Sequence, residues 1–152
     1  MTLPRTAMDR DDEDDVEKAL LSAMAAEARA YISSFSWCPD IRRIELTFGV
    51  GGVVALFLVD FVSAIGGEDD RLWVVVGDIP SAYMVVDGQR PGPALENYCD
   101  LMEDWAAAVL SGSLAQAEVF PVAAAATRQN AEDLLRRVAS LRSDFVPLAG
   151  MD

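Results

Sequence analysis

The chain has 152 residues, 52% of them hydrophobic, a formal charge of -13 and no histidine, and its pI is near 4.2. That balance argues against a nucleic-acid binder and against docking on an anionic membrane, both of which need clustered Lys and Arg. The missing imidazole removes the commonest general base, triad member and metal ligand together.

One domain is expected at this length, with about 70% of the unfolded chain's surface buried on folding. A mean hydropathy of +0.20 is high; it suggests a full core or an apolar surface used in self-association, so a homodimer is expected. Cys38 and Cys99, with no CxxC, do not make a disulfide framework. The N-terminus carries no secretory or mitochondrial signature. Residues 50–65 form the longest apolar run but include Asp60 and fall short of the roughly 20 residues of a membrane span. A soluble cytoplasmic protein with reduced thiols is the expectation. Eleven of the twelve basic residues are Arg and Ala is abundant, as in GC-rich bacterial genomes.

In chain order, residues 1–12 have no apolar periodicity, and Asp9 to Glu17 carries seven acids and one base; an acidic disordered arm is predicted, ahead of a single α+β domain over residues 13–149. A helix is predicted from Asp14, with Val16, Leu20, Met24, Ala28, Tyr31 and Phe35 on one stripe. Ser33, Ser34, Ser36 and Pro39 end it. Ile44, Leu46 and Phe48 alternate with Arg43, Glu45 and Thr47, the pattern of an edge strand with one wet face. Glycines 49, 51 and 52 turn the chain into residues 53–63, and residues 66–70 turn it back to the strand around Trp73.

The hairpin of residues 72–86, broken at Gly77, Asp78, Pro80 and Ser81, is the centre of the reading. Leu72, Val74 and Val76 point one way and Trp73 and Val75 the other, so both faces of the sheet need cover. Helices on both sides, or helices on one side and a second subunit on the other, would supply it; the second arrangement contributes to the expectation of a dimer. After the Pro91-Gly92-Pro93 break, a helix from about Ala94 carries Leu95, Tyr98, Met102, Trp105 and Val109 on one stripe and ends at Ser111-Gly112. Residues 114–126 read as irregular, with Val119, Phe120 and Val122 against the sheet edge. Thr127 is the N-cap of a last helix with Ala131, Leu134, Leu135, Val138, Leu141 and Phe145 inside, pairs Glu132 with Arg136 and Asp133 with Arg137 outside, and Pro147 at its end. The predicted fold is α+β: an N-terminal helix, a four-stranded antiparallel meander and two C-terminal helices packed on the sheet.

Chemistry-bearing groups are few. No phosphate-cradling glycine motif precedes a helix, no metal or other cofactor is expected, and no catalytic set can be assembled, so an enzyme is disfavoured. Cys38, in Trp37-Cys38-Pro39-Asp40, has no second cysteine and reads as a packed connector. Asp60 is either a perturbed base or, as preferred, the partner of Arg71 on the next strand. Asp78 either accepts turn N–H bonds or stands with Trp73, Tyr83 and Trp105 around a pocket between sheet and helix. Glu96, Asp100, Glu103 and Asp104 give the second helix an acidic face with no basic residue on that helix. A solvated face is the default, and a docking surface for a basic partner is the functional alternative.

The run from Leu72 to Tyr83, followed by Ala94, Leu95, Tyr98, Met102 and Trp105, resembles a family of small uncharacterised bacterial proteins over most of residues 31–145. The resemblance implies no activity and transfers no site residue. The favoured function is a non-catalytic interaction module, of immunity, inhibitor or small acidic chaperone type, binding a basic protein partner. A small-ligand module with an apolar pocket is the alternative.

Overall fold

The computed structural model describes residues 5–150 apart from Pro39 and Pro121, and side chains from Asp14 onward. The order is α1 (Arg5–Ser33), β1 (Asp40–Val50), β2 (Val54–Val62), β3 (Asp69–Gly77), β4 (Ala82–Val85), α2 (Pro91–Leu110), α3 (Leu114–Ala117), α4 (Arg128–Ser140), a π-helical turn (Leu141–Phe145) and α5 (Val146–Ala149). The strands form one antiparallel sheet in the order β1-β2-β3-β4. The α+β fold is as the sequence predicts, because every link between strands is a short turn and short turns join antiparallel neighbours.

β2 and β3 are apolar on both faces, and both faces are covered from within the chain. Leu56, Trp73, Val75 and Ala82 lie under α2 and α4 with Leu95, Tyr98, Met102, Trp105, Leu134 and Val138. Ala55, Phe57, Val59, Val74 and Val76 lie under α1 with Met24, Ala28 and Ile32. No second subunit is required to dry the sheet, which corrects the one-sided arrangement. At the far end of α1, Phe35 contacts Tyr31, Trp37 and Tyr83 at ring centroid distances of 5.1–5.3 Å, closing that core with aromatic edges and faces.

α1 begins at Arg5, earlier than Asp14, and residues 1–4 of the expected arm lie outside the described residues. At about 1.5 Å per residue it is longer than the strands beneath it, so its first half overhangs the sheet. Val16 and Leu20, expected inside, are 59% and 39% exposed. The crossing point is pinned at the β1–β2 turn, where the Gly51 N–H donates to Glu17 Oε1 at 2.7 Å and the Gly52 N–H to the Met24 sulfur at 3.4 Å.

β1 departs from simple alternation. Its register with β2 shifts between Ile41 and Arg43 and again between Leu46 and Phe48. Each shift leaves one residue unopposed, and an inserted residue reverses the side-chain phase beyond it. Ile44 therefore packs on the α1 side while Phe48 packs on the α2 side. The expected single dry face of Ile44, Leu46 and Phe48 is thus divided, and Leu46 is left 41% exposed.

The helical end differs in three local ways. α2 starts at Pro91, not Ala94, since a proline's fixed φ and missing N–H suit a first turn. Thr127 caps α4 as expected, its hydroxyl accepting from the Asn130 N–H at 3.2 Å. Pro147 does not stop the helix: after a π turn in which the Val146 N–H donates to the Leu141 carbonyl, it takes a place in the first turn of α5, where its missing N–H is tolerated. The ion pairs on α4 are Arg128–Glu132 and Arg136–Asp133. Arg137 instead reaches the β3–β4 turn, donating to the Asp78 carbonyl at 2.8 Å. The predicted Glu132–Arg136 and Asp133–Arg137 pairs lose to partners with better reach.

Candidate functional site

The buried stripe of α2 leaves positions 96, 100, 103 and 104 on the outside, because residues four and seven apart share a face. Glu96, Asp100 and Glu103 converge on one guanidinium, that of Arg142 in the π turn. Its Nη2 donates to Asp100 Oδ1 and Glu103 Oε1, each at 2.5 Å, and its Nη1 lies 3.5 Å from Glu96 Oε1. These bonds push the Arg142 pKa upward, Asp100 contributing first and Glu103 next. The sequence reading missed this clamp because its two halves lie about forty residues apart, beyond the range of helix spacing rules. The one available signal was an Arg next to Leu141, a residue of the expected buried stripe.

Asp104 stands apart from the clamp, between two open apolar recesses. One, of about 420 Å³, lies between β4 and α2 and is lined by Tyr83, Met84, Val85, Leu101, Asp100 and Asp104 among others. The second, of about 550 Å³, lies between α2 and α3, with Ala107, Ala108, Val119 and Phe120 around Asp104. Of the residues expected against the sheet edge, Phe120 and Val122 are half-buried against the core cluster that includes α2, while Val119 is exposed; Pro121 lies outside the described residues. The arrangement is chemically simple: apolar floors with carboxylates along their shared rim.

The four pocket candidates do not gather. Trp73 and Trp105 are 3% and 2% exposed in the core under α2. Tyr83 packs on the opposite face, with Phe35 and Trp37. Asp78 is exposed at the turn with its carboxylate 3.7 Å from Arg137. The Trp73 indole N–H is buried without a partner among the described residues, an unmade bond that costs about 1–3 kcal/mol.

The remaining candidates take structural places. Asp60 is opposite Arg71, whose Nε donates to it at 2.6 Å, within a polar recess that also includes Arg42, Asp69 and Asp70. Cys38 is buried, and burial pushes its pKa up, the reverse of what a nucleophilic thiol needs. Among the described residues no group of three or more His, Cys, Asp or Glu is placed to hold a metal, and no helix is long and apolar enough to cross a membrane.

Cys99 yields a prediction about pH. Burial pushes its pKa from 9.0 to about 11, with Arg142 opposing and Asp100, Glu103 and Glu96 adding to the rise. The folded state then holds the thiol proton more tightly than the unfolded state, so this contribution is complete below pH 9 and disappears as the pH rises through 11. The thermal midpoint should fall across that window and fall less in Cys99→Ala. Equal slopes in the two proteins would remove Cys99 as the cause.

Comparison of the chain with protein-family models, with curated proteins and with solved structures finds no match.

Proposed function

We propose that the chain is a non-catalytic interaction module, of inhibitor, immunity or small acidic chaperone type, which holds a basic segment of a protein partner along the outer flank of α2. The observation that carries this reading is the placement of Asp104. It rims two apolar recesses and is outside the Arg142 clamp, which engages Glu96, Asp100 and Glu103. A segment with alternating basic and apolar side chains matches both the rim and the floors, and complementary charge speeds its encounter. The chain's net charge of -13 favours the same class of partner.

The test is a fluorescence-anisotropy titration with a labelled peptide of alternating Lys and Leu. Binding should weaken as salt rises through about 0.1 M, where the Debye length is near 10 Å. Asp104→Asn should weaken it by roughly threefold, the scale of an exposed ion pair. Arg142→Gln should strengthen it by a similar factor, since it removes the competing cation. Salt-independent binding, or the same affinity in all three proteins, would defeat the proposal. A small-ligand reading would use the recess between α2 and α3, lined by Ala107, Ala108, Val119 and Phe120; thermal stabilisation by an apolar compound, lost in Phe120→Asp, would favour it.

A further inference from the structure

The two edges of the sheet are treated differently. Along β4, the Ser81 carbonyl accepts from the Ala123 N–H at 3.0 Å, the Val85 carbonyl accepts from the Gln89 amide at 3.0 Å, and the Tyr83 backbone is hydrogen-bonded to the Tyr31 hydroxyl. Along β1, eleven residues long, no described residue outside β2 bonds the backbone between positions 41 and 49. An open edge of this length is a template for another strand. The charges on it select which strand.

We infer that β1 pairs antiparallel with β1 of a second copy, about a two-fold axis through Ile44, to give a continuous eight-stranded sheet. Opposed residues in an antiparallel pair share a face and a hydrogen-bonding phase, so a two-fold pairing must be centred on a residue. The regular stretch between the two register shifts is residues 43–46. Centring on Arg43 sets Arg against Arg, and centring on Glu45 sets Glu against Glu, both destabilising; centring on Leu46 sets Glu45 against Thr47 and Arg43 against Gly49, so no unlike charges meet and the pairing runs across the second register shift. Centring on Ile44 sets Arg43 opposite Glu45 of the second copy, twice. Within one chain Arg43 Nη2 is already 3.5 Å from Glu45 Oε1, and both side chains are exposed, so the pairing completes a square of four alternating charges. It also brings the two Ile44 side chains together on the side of the sheet that bears the exposed Leu46. This association uses the edge of the sheet and is independent of the α2 flank.

Sedimentation velocity across a concentration series tests it. The intact chain should dimerise. Arg43→Glu and Glu45→Arg should each weaken the dimer at least about tenfold, because two attractive pairs become two repulsive ones. The double variant should restore it, because the charges exchange places and every opposed pair is again unlike. Restoration also shows that the singles failed by charge and not by misfolding. A monomer at all concentrations, a dimer indifferent to both single changes, or a double variant as weak as the singles would each overturn the inference. Amide hydrogen exchange gives a check without mutation: residues 43–46 should be more protected at high protein concentration, and unchanged protection would count against the pairing.

Discussion

Gly77→Ala should destabilise the protein by about 3 kcal/mol or more, read as the urea midpoint, whereas Gly88→Ala should cost about 1 kcal/mol. Both glycines have positive φ, at 146° and 70°, so both replacements carry backbone strain. The difference lies in the surroundings. A Cβ on Gly77 would meet the Val53 carbonyl, 2.8 Å from its carbon, while nothing lies within 4 Å of one on Gly88. The obstacle at Gly77 is backbone, held in place because Val53 also accepts from the Asp78 N–H at 3.0 Å. That contact joins the end of β3 to the start of β2, so yielding there means opening the ladder. Equal costs at the two sites would show that φ alone governs the response.

Trp105→Ala should cost about 3–5 kcal/mol, a fall of roughly 10 °C in the thermal midpoint for a chain of this size. Trp105 is among the largest fully enclosed side chains and sits with Met102, Leu95 and Val109 on the face of α2 turned to the core. Its removal leaves a void bounded by sheet and helices, and rigid walls relax little. A loss near 1 kcal/mol would mean that α2 can collapse onto the sheet. Leu110→Ala, at an exposed position on the same helix, should move the midpoint by no more than about 0.5 kcal/mol, which separates helix propensity from burial.

The fold was legible because its determinants are local and periodic. β2 and β3 are recognised by apolar residues at consecutive positions, α2 by the spacing of Leu95, Tyr98, Met102 and Trp105, and α4 by Thr127 ahead of its stripe. The meander follows once the turns are short. What the sequence did not disclose was of two kinds. An extra residue in a strand, as at the two shifts of β1, alters no composition and no local propensity, yet it reverses every side chain beyond it. Charges choose partners across the fold: Arg142 crosses to α2, and Arg137 reaches the β3–β4 turn, passing over Asp133, the helical neighbour that spacing rules would favour. The acidic face of α2 was visible as a row, but the division between the three clamped acids and Asp104 depends on that crossing. The pocket expected between sheet and helix around Trp73, Asp78, Tyr83 and Trp105 fails on side-chain direction: Met84, not Tyr83, is opposite Trp73, and adjacent residues in a strand look to opposite sides.

The sheet has one further consequence. The side chains under α1 and those under α2 form separate sets with no member in common, so the protein has two dry chambers divided by a single wall of backbone. Damage to one is not transmitted as a cavity to the other, and mutational losses on opposite sides should sum. Evolution could therefore remodel the surroundings of α1 and of α2 independently, keeping the wall between them unchanged.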